Sequence, residues 1–443
     1  MTKLRGKLYP LAPWAAGVLC GLMGAPAGAM DLKTADGAWT FTVAGNVNVH
    51  YIYSNCESVD LASASSVASH TVAGGLACTG TTQSGSNVSN VGNGLLPAAF
   101  TFGVSTTQMG IDLSAHLGLY PGIATNDGGS PNLQQTTGNG SSNIALGTTG
   151  LDVRQVYLTF GNKEMGTFMF GRNFGLFGFD AIINDMTLPG VGVAGSASGP
   201  APSNTTLGSI GLGYIYVDTL AQMNYTTPDF SGLNFTIGIF DPLNSATNTD
   251  ITVGKKAPGF HGKLAWTVPV SSTTKFYASA TFISQKQNYI CRPLAPCAAT
   301  IGAGNAYDYD GTGFDVFAKI DVADFEAFAY YYHGSGLGTT GFFILSDDGL
   351  GNKRDSDGFL VQATYKVGDV KFGVNYGESK LDLANATDLA ALVSKNRKVT
   401  GGVYYSLTKN LTLLGEISDV QADAHNGNKN KSTNGNVGAF LSF

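Results

Sequence analysis

Strand-like segments of this sequence are joined by connections that are alternately long and short. From about residue 38 onward, stretches of roughly ten residues alternate apolar and polar side chains, as half-buried β-strands do. Long connections fall near residues 54–96, 121–150, 173–213, 241–257, 285–311, 333–356, 377–397 and 418–434, and short ones near 106–110, 161–165, 227–232, 269–274, 321–324, 367–369 and 407–410. A soluble sandwich has no reason to place every long loop on one side, whereas a transmembrane barrel does so. The pattern predicts an all-β fold, a 16-stranded antiparallel transmembrane β-barrel.

The two faces of the predicted strands differ in polarity. In residues 39–53 the odd positions are apolar and the even positions are mostly polar, which suits lipid outside and water inside. An ordinary sandwich, whose apolar face would be a core, remains the alternative, but it has no need for lysines at regular positions on its polar faces. The inner face, which would line a lumen, is predicted to carry Asn46, His50, Lys263, Lys319 and Lys366.

The amino terminus has the features of an export signal. A basic stretch with Lys3, Arg5 and Lys7 precedes a short apolar run, and residues 27–29 read Ala-Gly-Ala, a small-residue cleavage site. We expect a signal peptide at residues 1–29 and a barrel domain at residues 30–443. Charged residues are 13% of the chain, about half the usual ~25%. Removal of the three basic residues takes the net charge from −6 to −9, which gives no basis for a nucleic-acid partner.

Four stretches of the sequence resemble the general porins of Gram-negative bacteria. They are residues 154–160 (RQVYLTF), 166–175 (GTFMFGRNFG), 185–190 (DMTLPG) and 225–235 (YTTPDFSGLNF), and the ending in Phe443 resembles the family's assembly signal. The resemblance implies a barrel in the Gram-negative outer membrane whose third loop folds inward. It also implies a homotrimer in contact with outer-membrane lipid and lipopolysaccharide, which passes small hydrophilic solutes and ions by diffusion.

The same resemblance implies where the constriction residues lie. Asp180 and Asp185 fall on the third loop, Arg154 and Arg172 match basic wall positions, and Gln222 stands where the family has a third arginine. If side chains alternate strictly between the two faces, however, both arginines lie on the lipid-facing side with their apolar neighbours. An arginine on that side costs ~2–4 kcal/mol at the membrane midplane. Either a bulge reverses the faces, or the outer face packs on another subunit. Because the family's basic wall positions are only partly kept here, we expect a weak ion selectivity that favours cations.

The cysteines of the predicted mature chain all fall in long loops. Four cysteines allow three pairings, and proximity favours one bridge in the first loop and one in the fifth. Metal binding is the alternative, although no histidine stands at ligand spacing. The first two loops, residues 54–96 and 121–150, are rich in Ser, Thr, Gly and Asn, which predicts mobility or a surface mat. The favoured disulfides are Cys56–Cys78 and Cys291–Cys297.

Signatures of enzymatic chemistry are missing from the sequence. There is no G-x-S-x-G elbow and no H-E-x-x-H motif, and the six histidines form no pair. We therefore expect no catalytic, cofactor or metal site. Two alternatives to a general diffusion channel stay open, a solute-selective porin and a non-conducting structural or adhesive barrel.

Overall fold

One antiparallel sheet accounts for almost all regular structure of the chain. A computed structural model describes residues 29–57, 72–78, 87–123, 151–194, 204–245, 248, 250–293, 295 and 297–443. The predicted signal peptide lies almost wholly outside the described residues, as do residues 124–150 of the second loop. In the described residues no helix is long and apolar enough to cross a membrane. The strands are β1 (Met30–Lys33), β2 (Thr40–Cys56), β3 (Asn87–Gly92), β4 (Ala99–Gln108), β5 (Ile111–Pro121), β6 (Leu151–Asn162), β7 (Gly166–Phe174), β8 (Thr219–Thr226), β9 (Leu233–Phe240), β10 (Ile251–Thr252), β11 (Gly259–Pro269), β12 (Thr274–Ile290), β13 (Ala306–Val322), β14 (Phe325–Ser335), β15 (Asp355–Val367), β16 (Val370–Leu381), β17 (Val393–Ser406), β18 (Leu411–Ala424) and β19 (Lys429–Ser442), with a helix α1 (Phe179–Asn184) and a π-helical turn (Ala298–Gly302).

These 19 segments form 16 barrel strands. β3 and β4 both pair with β2 and are two parts of one interrupted strand. β10 and β11 both pair with β12 in the same way. β1 pairs with the start of β2, beyond the point where β19 stops, so it continues the line of β19. The predicted 16-stranded barrel is thus confirmed.

The barrel closes where the last strand meets the first long one. β19 pairs with β2 from Ser432↔Cys56 to Ser442↔Asn46. The final residue continues the ladder, because the Phe443 N–H donates to the Gly45 carbonyl at 3.0 Å and the Gly45 N–H donates to the Phe443 carbonyl at 2.7 Å. Closure leaves no sheet edge in the lipid, where an unpaired backbone group costs several kcal/mol.

The alternation of faces in β2 follows the prediction. Phe41 and Tyr51 on the odd face are 46% and 47% exposed and point outward, whereas Asn46 and His50 on the even face are buried within the barrel. The other strands repeat the apolar outer face, which supplies the lipid-facing band.

The connections are long on one side of the barrel and short on the other, with one exception. The eighth long loop was expected at residues 418–434, but β18 runs to Ala424 and β19 begins at Lys429, so residues 425–428 alone make the turn. The reason is that the ladder continues past the apolar band with polar cross-strand pairs such as Asp423↔Lys429. Beyond the apolar band the outer face turns polar, as at Asp419 and Asp423, while inner-face residues such as Ala422 are buried in the core. The apolar-out, polar-in alternation therefore no longer marks a strand here.

The largest apolar core lies inside the barrel rather than between layers. It combines inner-face residues of the wall with residues of loops that enter the lumen. Loop residues Phe177, Leu212 and Ile215 and wall residue Leu360 are fully buried. Part of the first loop also belongs here, since Leu76 in residues 72–78 is 3% exposed. The expectation of a mobile surface mat is therefore wrong for this segment.

Covalent and ionic links tie the extracellular loops together. Both predicted disulfides, Cys56–Cys78 and Cys291–Cys297, are present. Between the sixth and seventh loops, Arg354 donates to both carboxylate oxygens of Asp388 at 2.7 Å, and both side chains are buried.

The pH range of this ion pair follows from its hydrogen bonds. Burial acts to raise the pKa of Asp388, but hydrogen bonds from Arg354 and from the N–H groups of Ala384 and Leu389 outweigh it and lower the pKa to about 2. The stability that the pair adds is fully present above the ordinary Asp pKa of about 4 and is lost as the pH falls through about 2.

Asp388→Asn should therefore expose Arg354 to trypsin at neutral pH, because the arginine loses its charged partner. Limited proteolysis followed by mass spectrometry should reveal a new cut after Arg354. The control is Asp308→Asn, which removes an exposed partner of Lys286 at 2.7 Å and should leave the cleavage pattern as it is. Equal protection of Arg354 in wild type and Asp388→Asn would show that the pair does not hold the loops.

Candidate functional site

The third loop, defined here as residues 175–218, leaves β7 and crosses the lumen. Its described parts are residues 175–194 and 204–218. Gly178 precedes α1 with φ 77°, a conformation that glycine adopts without strain, and its N–H donates to Asp315 of β13 at 2.6 Å. The start of the loop is thus directed across the barrel.

Asp180 anchors the loop to the far wall. Its carboxylate accepts from Lys263 of β11 at 2.7 Å and from the hydroxyl of Tyr277 of β12 at 3.0 Å, and also from Ser279. Asp180 and Lys263 are 7% and 11% exposed as side chains, so water screens this pair little. Asp180 and Lys263, both predicted site residues, therefore meet each other.

Asp185 anchors the turn after α1. It accepts from the N–H and hydroxyl of Thr187 at 3.0 and 2.8 Å, from Tyr214 at 2.9 Å, and from Asn375 of β16 at 3.1 Å. Next to it, Gln362 of β15 both accepts from the Met186 N–H at 2.7 Å and donates to the Asn184 carbonyl at 2.8 Å. Asp185 is buried, and it shapes the loop while binding the wall.

Glu416 of β18 holds the third anchor, and sequence reasoning missed it. Its carboxylate accepts from the N–H groups of Val191 and Gly192 at 2.9 and 2.8 Å, and from the side chains of Tyr404 and Asn436 at 2.7 and 3.0 Å. The signal was available, because Glu416 is a lone acid at an inner-facing position between Leu414 and Ser418. Nearby, Lys398 of β17 donates to the Gly208 carbonyl at 2.9 Å.

Arg154 faces the lumen because of a bulge. β5 and β6 pair Gly118 with Gln155 but Tyr120 with Asp152, so β6 carries one extra residue there. The extra residue reverses the faces to which the side chains point. A bulge, and not packing on another subunit, therefore explains the position of Arg154. Its guanidinium donates to Asp152 at 2.9 Å and to Asn204 of the third loop at 2.8 Å.

Arg172 lies on the outer face, which corrects its expected place at the constriction. In β7 it pairs with Val156 and Ala221, both exposed, while the preceding Gly171 pairs with the buried Tyr157 and Gln222. No bulge interrupts this part of the ladder, so strict alternation applies. Arg172 is exposed and donates to Thr219 at 3.3 Å.

Gln222 and Asn46 brace the segments that enter the lumen. Gln222 donates to the carbonyls of Asn173 and Phe174 at 2.7 and 2.9 Å, at the point where the third loop begins. Asn46 accepts from Asn48 at 2.9 Å, and Asn48 in turn accepts from the Gly94 N–H at 2.8 Å. Both predicted residues are buried, so they brace segments that enter the lumen and do not line an open channel.

His50 does not line an open lumen either. It is fully buried on β2, and neither ring nitrogen has a hydrogen-bond partner among the described residues. Gly94 and the third-loop residue Gly190 lie over it, joined by the Leu95 N–H that donates to the Gly190 carbonyl at 2.7 Å. The prediction of the inner face was right, but the covering segments were not foreseen.

Lys319 and Lys366 lie near the short turns at the other end of the barrel. Lys319 binds Asp321 at 3.0 Å and Glu326 at 3.5 Å, and Lys366 is exposed. Each lies four residues along its strand, toward the short turn, from a residue that binds the third loop: Lys319 from Asp315 and Lys366 from Gln362. Both therefore lie on the short-turn side of the third loop.

Comparison with known proteins bears on this architecture. A family model described as Gram-negative porin matches residues 15–425. The outer membrane channel DcaP of Acinetobacter baumannii has a similar structure, with a TM-score of 0.62 and 15% identity over 93% of this chain and 99% of that chain. The anion-selective porin from Comamonas acidovorans gives 0.53 and 14% over 91% and 100%, and Salmonella typhi OmpF in complex with daunomycin gives 0.53 and 14% over 94% and 100%. A comparison with curated protein sequences found no match.

The family match spans most of the chain, and the solved structures share its closed barrel. Sequence, fold and comparison thus agree on the same kind of molecule. The chain belongs to the Gram-negative porin family, and it is an outer-membrane channel for the passive diffusion of solutes.

Proposed function

We propose that solutes cross this porin through a narrow constriction that the third loop forms with the wall. The observation that carries the proposal is the set of anchors at Asp180, Asp185 and Glu416, which tie the loop to separate parts of the barrel. A loop held at several distant points narrows the lumen permanently. Small hydrophilic solutes and ions pass such a constriction by diffusion, and no catalytic step is involved.

The charges around the third loop support a weak preference for cations. Charges within about a Debye length, ~8 Å at physiological salt, dominate what a permeating ion feels. Among the described residues, acids outnumber bases on the loop or bonded to it. The acids are Asp152, Asp180, Asp185, Asp218 and Glu416, and the bases are Arg154, Lys263 and Lys398.

The proposed constriction predicts that shortening the loop raises conductance. Deletion of residues 176–200 should increase the single-channel conductance in a planar bilayer, because it removes α1 with its anchors. Because the loop also supplies much of the core, a milder variant accompanies the deletion. Glu416→Gln removes the negative charge that accepts hydrogen bonds from two N–H groups of the loop, and it should increase the noise of the open-channel current.

The matched control for the companion variant is Glu378→Gln. Glu378 lies near Lys380 and Lys395 toward the loop side of the barrel and has no hydrogen bond to the third loop among the described residues. It should leave conductance and noise unchanged. If the folded deletion variant conducts as wild type does, the loop does not form the constriction.

Two arginines on opposite faces allow a matched test of selectivity. Arg154→Gln should shift the reversal potential toward cations, because it removes a base beside the loop, and Asp185→Asn should shift it toward anions. Arg172→Gln removes the same charge from the outer face and should shift nothing. The measurement is the reversal potential in a salt gradient of about tenfold, which limits screening on the dilute side. If the reversal potential shifted for Arg172→Gln and not for Arg154→Gln, Arg172 would face the lumen and Arg154 would not.

The porin is further proposed to act as a homotrimer after removal of residues 1–29. Arg172 on the outer face supports the trimer, since a lipid-facing arginine costs up to ~2–4 kcal/mol, the value at the midplane, and a protein neighbour avoids this cost. The pairing of β1 with β2 supports a mature start near Met30. Light scattering on the detergent-solubilised protein should give three copies per particle, and amino-terminal sequencing should begin near Met30. A single copy per particle would refute the trimer.

A solute-selective porin is the second candidate. It is favoured by the apolar packing of loop residues inside the barrel, which leaves less room than a wide lumen would. A small conductance that one class of solute blocks would identify it, whereas a general channel lets many small solutes pass without block.

A further inference from the structure

Residues 72–78, one of the described parts of the first loop, lie inside the mouth of the barrel. Residues 72–78 follow an irregular path, and Val72, Leu76 and Ala77 are 6%, 3% and 3% exposed. All three belong to the same core as the third loop. A loop that only covered the outer surface would not bury its apolar side chains in the lumen.

Inner-face residues of the wall hold this segment. Asn396 of β17 accepts from the Leu76 N–H at 2.8 Å and donates to the Gly74 carbonyl at 3.1 Å. Ser432 of β19 accepts from the Cys78 N–H at 3.2 Å. Asn396 and Ser432 are each 1% exposed. The segment is therefore hydrogen-bonded to the lumen side of two strands.

Three other loops complete the contacts, since a Cβ on Gly74 would also collide with Leu345 of the sixth loop. The Ala73 N–H donates to the Ala391 carbonyl at 2.9 Å, and the Val393 N–H donates to the Ala73 carbonyl at 2.8 Å. On the other side, Leu76 packs against Gly211 of the third loop so closely that a Cβ on Gly211 would collide with it. The segment thus lies between the seventh loop and the third.

The first-loop disulfide fixes one end of the segment to the barrel rim. Cys56 is the last residue of β2, and its Cα lies 5.0 Å from that of Cys78. Cys78 is also the last described residue of the segment. The bridge thus confines the segment to the lumen side of the strands from β17 to β2.

We propose that residues 72–78 form a second constriction element, which the Cys56–Cys78 bridge clamps above the third loop. The inference rests on the proposed channel function and adds a determinant of size selectivity to it. The clamped segment narrows the channel over β17, β18 and β19, so that it admits ions and small hydrophilic solutes and excludes larger ones of the same chemistry.

The test compares the two disulfides in the full-length porin. Cys56→Ser with Cys78→Ser should raise the single-channel conductance and admit larger neutral sugars in liposome swelling. Cys291→Ser with Cys297→Ser removes a bridge of the fifth loop, which touches neither the third loop nor residues 72–78 among the described contacts, and should change neither readout.

A second measurement covers the case in which the double variant fails to fold. A water-soluble phosphine added to the wild-type channel already in the bilayer reduces each disulfide to two thiols and is itself oxidised. Conductance should rise in wild type and in the fifth-loop variant. Wild-type conduction itself tests the proposed channel, so an unchanged conductance after reduction overturns only the clamp. An equal rise in conductance after loss of the fifth-loop disulfide also overturns the clamp, because the rise would then reflect a general loosening of the loops.

Discussion

Closure of the β2–β19 ladder is the interaction on which the rest of the structure depends. Lipid offers no hydrogen bonds, so every backbone group of a spanning sheet must pair within the protein. The final Phe443 completes that pairing against Gly45. Once the sheet is closed, the apolar outer face is satisfied by lipid, and the inner face becomes free to carry polar side chains. The charged and amide residues that later hold the loops are tolerated only because of this division.

The polar inner face then serves as a set of attachment points for loops. Glu416, Gln362 and Asn396 each satisfy loop backbone groups that have no helix or sheet partner. A buried loop would otherwise leave its N–H and carbonyl groups unpaired, at a cost of about 1–3 kcal/mol each. The wall therefore replaces the ladder partners that the loops lack. This is why an irregular segment such as residues 204–215 can be almost fully buried.

Much of the fold could be predicted from local pattern, and the errors have local causes. Alternation predicts which face of β2 meets lipid because the two environments differ strongly. It is misleading at Arg154, where one extra residue reverses the faces, and it holds at Arg172, which consequently points outward. Family resemblance had suggested the opposite for Arg172. Alternation marks Glu416 as an inward-facing acid, but its partners Val191 and Gly192 could not be predicted, since they depend on where the tip of a distant loop arrives.

The arrangement of charges also bears on how this channel can discriminate between solutes. Asp180 meets Lys263 and Arg154 meets Asp152, so the strongest local charges are already paired with one another. Paired charges produce only a dipolar field, which falls off faster with distance than the field of a lone charge. Under the proposed function, ion selectivity therefore depends on the small excess of acids that remains. The proposed size selectivity depends instead on the loop backbones, whose positions are fixed by hydrogen bonds to the wall and by a disulfide at the rim. In the proposed constriction the shape of the lumen is thus a stronger filter than its charge.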